Sequence, residues 1–168
     1  MGRDRGLGKA AAPRGTYVLL LESAAAGRCR VGALGALPLV PGVYAYVGSA
    51  LGPGGLPARL GHHARRAARP HWHIEYLRRQ LPLAGVWLDA GGGRLEHAWA
   101  ETLGQARGVA AVPGFGCSDC GCASHLLHFA DPPTAARLRR LLTAAGGAPR
   151  HLGGERLALW LDAGASPR

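Results

Sequence analysis

Acidic side chains are scarce in this sequence. Ten Asp and Glu are spread over 168 residues, and no D-x-D or D-x-x-D cluster brings two together. A centre that clamps two divalent ions between several carboxylates has too few ligands here. One ion held by a single acid, neutral groups and water asks for less. Magnesium accepts that arrangement because it dehydrates reluctantly. Long apolar runs are missing too. The longest, such as the one from Tyr17 to Leu21, fall far short of the roughly 20 residues that cross a bilayer. No apolar stretch follows the basic N-terminus before Gly15, so no secretory signal is expected. The expected location is cytoplasmic, and the four cysteines, Cys29, Cys117, Cys120 and Cys122, are expected to be reduced. The glycine run at 52–55 lacks the G-K-[ST] of a phosphate-binding loop, so nucleotide hydrolysis has little support. There is no internal repeat.

Positive charge is what the chain has in excess. Its formal net charge is +10, and of its 20 Lys and Arg only Lys9 is lysine. Such an excess favours a polyanionic partner, most simply nucleic acid. An apolar share of 48% is enough to build a core and excludes disorder of the whole chain. The length fits one compact domain with extra ends.

Residues 1–14, basic and rich in Gly and Ala, are expected to form a flexible arm. Residues 16–22 are β-branched, aromatic and aliphatic, and predict a strand. A small-residue turn follows, then a second extended run from Arg28 to about Leu34. Pro41-Gly42 breaks the chain, and residues 43–47 predict a third strand. After the 52–55 loop, Leu56, Leu60, Ala64 and Ala67 recur at helical spacing. Arg59, His62, His63 and Arg66, at i, i+3, i+4 and i+7, put a mostly cationic stripe on another face of that helix. Ile74, Leu77 and Leu81 predict a second helix and residues 83–88 a strand. Residues 94–107 predict a third helix with Leu95, Trp99, Leu103 and Ala106 inward and Glu96 in its first turn. Residues 124–129 predict a short strand, 134–144 a helix, and 156–162 a last strand.

Several segments fall in a recognisable order. Gly15-Thr16-Tyr17 starts the first strand, and Tyr46-Val47-Gly48 ends a later one. Gly55-Leu56-Pro57-Ala58-Arg59 opens the helix, with His63 one turn on, and Glu96 begins a further helix. This resembles the GIY-YIG nuclease superfamily. More narrowly, it is similar to a prokaryotic branch with the runs G-x-Y-x-Y-V-G-S-A (here from Gly42 to Ala50), G-G-L-x-x-R (from Gly54 to Arg59), H-W-H-I-[DE]-Y-L (from His71 to Leu77) and G-F-G-x-S-D-C-x-C-x-S-H (from Gly114 to His125). Any one run is weak; four in order are strong, and they cover about residues 15–129.

The resemblance implies an α/β (α+β) fold, with a small antiparallel three-stranded sheet flanked by helices, in a nuclease domain over 15–130 followed by a C-terminal extension over 131–168. It implies a metal-dependent endonuclease acting on DNA, in repair or in defence against foreign DNA. The alternative is a catalytically inactive nucleic-acid-binding domain on the same scaffold. By match of motif, Tyr17 and Tyr46 lie side by side and one phenol orients or deprotonates the attacking water. A phenol titrates near ~10, so it needs a cation beside it to act as a base at neutral pH. Arg59 is the expected cation and also forks onto phosphate oxygens. Glu96 is the expected ligand of Mg2+ or Mn2+, and His63 is expected either to contact phosphate or to share the base role. Gly48, Ser49, Arg66, His71 and His73 are the expected substrate contacts. Relatives space the two tyrosine elements more closely, so an inserted strand is expected between Tyr17 and Tyr46. Tyr44 in Gly42-Val43-Tyr44 is the second choice for Tyr17. Many relatives follow the metal carboxylate with Asn. This chain has none, which leaves Ser118, Ser124 or His125 to replace it.

Two histidine-rich sets suggest zinc. His62, His63, His71 and His73 cluster in sequence, but His71 and His73 diverge if helical. Cys117, Cys120, Cys122 and His125 spell C-x-x-C-x-C-x-x-H, which does not match paired C-x-x-C knuckles. Reduced structural cysteines are the default there and a closed tetrahedral zinc loop the alternative.

Overall fold

The computed structural model describes residues 11–165. Its strands are β1 (Gly15–Ser23), β2 (Gly27–Val31), β3 (Gly35–Leu39), β4 (Gly42–Ala50), β5 (Leu83–Asp89), β6 (Val109–Ala111), β7 (Leu126–Phe129) and β8 (Arg150–Gly153). Its helices are α1 (Gly55–Ala64), α2 (His73–Arg78), α3 (Glu96–Gly104), α4 (Ala135–Ala144) and α5 (Gly154–Ala165).

The fold is mixed α+β. The expected small three-stranded sheet is not what forms: the described sheet has six strands, in the order β6-β7-β4-β1-β5-β8, all antiparallel. The strands added at its two ends are only three or four residues long, too short to leave a clear alternation in the sequence. The insertion between Tyr17 and Tyr46 is a separate hairpin, β2–β3. It packs on α2 and does not enter the sheet between the tyrosine strands, which pair directly.

Alternation along the central strands divides the interior into two cores. Tyr17, Leu19 and Leu21 of β1 share a face with Val86 and Leu88 of β5 and pack with Leu56 and Leu60 of α1, Ile74 and Leu77 of α2, and Leu157 of α5. Val18, Ala45, Val47 and Trp87 face the other way, onto Trp99 and Leu103 of α3 and Leu138 and Leu142 of α4. The sheet is therefore the middle layer between two sets of helices, and its central strands are buried on both faces. Residues beyond 130 contribute to both layers through α4 and α5.

Two expectations fail locally. Residues 156–162 lie in α5, because Leu157, Trp160 and Leu161 recur at i, i+3, i+4 and turn inward while Leu159 is exposed. The helix expected to reach Ala67 ends at Ala64, where Arg65 adopts extended dihedrals. The buried Arg78 guanidinium closes that end, donating to the carbonyls of His63 (3.0 Å) and Ala64 (3.4 Å) as well as Leu81 (2.6 Å). Helix ends need such partners for their last carbonyls. At the other end of α1, Leu56 N–H donates to Pro13 O at 2.8 Å, so residues 11–14 run against the domain. The rest of the expected arm lies outside the described residues.

Candidate active site

The site forms where β1 begins and β4 ends. Register places Tyr17 opposite Gly48, and Leu19 opposite Tyr46. Opposed residues share a face, so both tyrosines point to one side of the sheet. Tyr17 lies on Gly48: a Cβ there would meet the phenol oxygen at 2.5 Å. This steric demand explains the Tyr-Val-Gly spelling. Tyr44 shares that face but lies deeper. Its hydroxyl accepts from Val40 N–H at 3.0 Å, and it does not line the cavity. Tyr17, not Tyr44, is the partner of Tyr46.

A cavity of about 330 Å³ is lined by Tyr17, Tyr46, Gly48, Ser49, Arg59, His63, His71, Trp72, His73, Glu96, Gly116, Ser118 and Asp119. Nine residues expected from the sequence as catalytic or substrate contacts are therefore gathered from five elements, β1, β4, α1, α2 and α3, and from the segment before α2. Arg66 is the exception. Because α1 stops at Ala64, the i+7 spacing no longer holds, and Arg66 is exposed away from the cavity. Glu96 comes from α3, a helix of the opposite layer, yet shares the cavity with Arg59.

The buried side chains are tuned by position. Tyr17 OH lies 2.8 Å from His63 Nε2. Burial lowers His63 to about 3, helped by Arg59, so the imidazole is neutral at ordinary pH. Its Nδ1 is buried without a partner. Burial and Tyr46 hold the Tyr17 phenol well above its ordinary value. Tyr46 is pushed up to about 12 by burial and Glu96. Arg59 opposes both shifts, but burial outweighs it, contrary to the expectation that Arg59 makes a phenol acidic. Glu96 is only half-buried. Burial pushes its carboxyl up, but His125 and Ser49 hold it below the usual range. His125 Nδ1 is 3.0 Å from Glu96 Oε1, and that contact raises His125. Of the three candidates for the absent Asn, His125 touches Glu96 and Ser118 lines the cavity. Ser124 is spent on Leu126, donating to its carbonyl and accepting its N–H, both at 2.9 Å.

Trp72 was not singled out from the sequence. It is 40% exposed, and the Arg59 guanidinium stacks over its ring at 4.2 Å. A tryptophan set between two histidines after Pro70 was the available signal. Glu75 holds this wall: its carboxylate accepts from the backbone N–H of His71 (2.5 Å) and Trp72 (3.1 Å) and pairs with His62. That role occupies His62 and leaves no histidine zinc site there. His73 Nδ1 accepts from Gly116 N–H at 3.2 Å and ties the wall to the cysteine loop.

A second cluster lies beside Glu96. Ligand atoms of His97, Cys120, Cys122 and His125 all fall within 4.8 Å of one another. This differs from the set expected from the sequence. Cys117 turns away toward Ala123 O at 3.8 Å, and His97 takes its place. His97 is the helix neighbour of Glu96, and loop spacing alone does not mark it. The donors, two sulfurs and two imidazoles, could hold a metal and are of the kind zinc prefers.

Residues 16–146 match the family described as domain of unknown function DUF123. The chain belongs to that family. Nothing among the curated proteins or the solved structures matches it. Among the described residues, no helix is long and apolar enough to cross a membrane.

Proposed function

We propose that this DUF123 protein is a metal-dependent endonuclease of GIY-YIG type that hydrolyses phosphodiester bonds in DNA. The observation that carries it is the convergence of Tyr17, Tyr46, Arg59, His63 and Glu96 on one cavity. Some of these contacts also support the fold, such as that of Tyr17 with His63, but phosphodiester hydrolysis needs a base, a cation and a metal carboxylate within reach of one phosphate, and this set offers all three. The choice of DNA rests on the family resemblance.

The residues fit a hard divalent ion. Glu96 is ionised and partly exposed to the cavity, and Ser49, Ser118 and Asp119 put further oxygen donors on its lining. Such donors suit Mg2+ or Mn2+, which would supply charge stabilisation at the leaving oxygen. Arg59, held flat by Trp72, presents its N–H edge to the phosphate and stabilises the equatorial oxygens. Tyr17 and His63 handle the proton. With the Tyr17 hydroxyl donating to His63 Nε2, its oxygen accepts a proton from the attacking water as its own passes to His63. The new P–O bond forms on the water oxygen, and the opposite P–O bond breaks. An imidazolium is disfavoured in this pocket, so the step needs a phosphate anion beside His63 to offset the burial and Arg59. Tyr46 orients the water.

Supercoiled plasmid, flap and single-stranded DNA, with RNA as a control, are incubated with the full chain in Mg2+ or Mn2+. Metal-dependent nicking is expected. Arg59→Ala and Glu96→Ala each lower the rate by roughly 100-fold or more with an unchanged far-UV circular dichroism spectrum. Salt-sensitive binding without cleavage in either ion would replace the enzyme with a nucleic-acid binder.

A further inference from the structure

The geometry points to a tetrahedral zinc site formed by His97, Cys120, Cys122 and His125, joined to the cavity through the contact between His125 and Glu96. His97 lies in the first turn of α3, and the other three residues are on the loop that leads into β7. His97 Nδ1 is 2.9 Å from Cys122 Sγ, and His125 Nε2 is 3.3 Å from Cys120 Sγ. The two imidazole planes are perpendicular. Zinc bonds of ~2.3 Å to sulfur and ~2.0 Å to nitrogen imply ligand-to-ligand separations of roughly 3.3–3.8 Å. The observed separations, from 2.9 Å up to 4.8 Å, bracket that range, so side-chain adjustment is enough to close the shell. A cavity of about 580 Å³ between α3 and the loop reaches His97 and Cys122 and gives the ion an approach that avoids the nuclease cavity.

The tautomer of His125 links the two centres. With zinc on Nε2, Nδ1 must carry its proton; that buried atom has no aligned hydrogen bond but lies 3.0 Å from Glu96 Oε1, so a small turn of the ring brings its N–H onto the carboxylate. Carboxylate–histidine–zinc arrays fix ring orientation and raise ligand basicity. Here the carboxylate is also the proposed ligand of the catalytic ion. Zinc would therefore hold Glu96 from two sides, through its chain neighbour His97 and through His125. Four ligands from the protein leave no open position, so the ion is structural and not the one that acts on phosphate.

The zinc site stands apart from the nuclease proposal, because it is tested without nucleic acid. The full chain is purified with a thiol reductant, and its zinc is measured by mass spectrometry and by chelator competition. One zinc per chain is expected. Cobalt substitution should give intense tetrahedral d–d bands and a thiolate charge-transfer band sized for two sulfurs. Cys117→Ser should keep both properties; His97→Ala and the double variant Cys120→Ser/Cys122→Ser should lose stoichiometric metal. Glu96→Gln should retain zinc with roughly 10-fold weaker affinity. Absence of zinc, a Cys120–Cys122 disulfide in its place under the same reductant, or a three-thiolate cobalt spectrum lost in Cys117→Ser would overturn the assignment. Unchanged affinity in Glu96→Gln would remove the link to the cavity. Because the cobalt spectrum is read on the unmodified chain, misfolding of a variant cannot hide the answer.

Discussion

His63 shows how a residue's surroundings can set its chemistry against its ordinary habit. A histidine titrates near 6.5, but burial and Arg59 lower this one to about 3. Between those values the unfolded chain holds a proton that the folded chain excludes. Folding then requires proton release, and stability falls as pH drops below the unfolded value. Each unit costs about 1.4 kcal/mol, so the deficit reaches about 2–3 kcal/mol near pH 4.5. His63→Gln removes this titration while keeping a polar group for the Tyr17 hydroxyl. Urea unfolding at pH 7.5 and 4.5 should show a smaller acid loss in the variant, by about that amount. An equal loss in both would mean that His63 protonates normally in the folded state. Under the proposed mechanism, the neutral imidazole suits a site that accepts a proton only when phosphate is present. The motif gave away this residue's place in the sequence. Its protonation state follows from packing by β1, β4 and α1, which no local spacing encodes.

At the scale of elements, the contact between β1 and β4 is the critical one. The phenol of Tyr17 occupies the space that any side chain at position 48 would fill. Gly48→Ala should push the ring off His63, lower stability by about 1–3 kcal/mol and reduce nicking more than binding. Gly27→Ala is the control, since a Cβ there meets nothing within 4 Å. Equal melting temperatures and rates for the two variants would show that the phenol's position is not constrained. The tyrosine strands, α1 and α3 were legible because their apolar residues alternate or recur over enough residues to establish a period. Failures fell on short or mixed segments. Pro38 masks β3. In α5, Leu157, Trp160 and Leu161 carry helical spacing, but Leu159 between them mimics a strand. Arg66 was misplaced because the end of α1 is set by a distant arginine, Arg78, and by no breaker residue in the helix itself. His97 was missed for a related reason: ligands brought together from a helix and a loop leave no spacing signature.

The whole molecule carries far more positive than negative charge, with a net of +10, and one of these cations, Arg59, lies in the cavity wall. Binding to DNA that neutralises several phosphates releases counterions, so affinity should fall by roughly tenfold or more between 50 and 200 mM salt. Fluorescence anisotropy on a labelled duplex across that range checks this. A flat response would show that Arg richness reflects composition and not recognition. Nor is the β2–β3 hairpin a passive insertion. Cys29, Val31 and Leu39 bury themselves with Ile74 and Leu77 of α2, and His73 of the His71–Trp72–His73 wall is the first residue of α2. The hairpin thus acts as a buttress behind that wall. If the cavity binds nucleic acid as proposed, sequence drift in the hairpin's buried positions would be felt as altered grip on substrate, even though no hairpin residue lines the cavity.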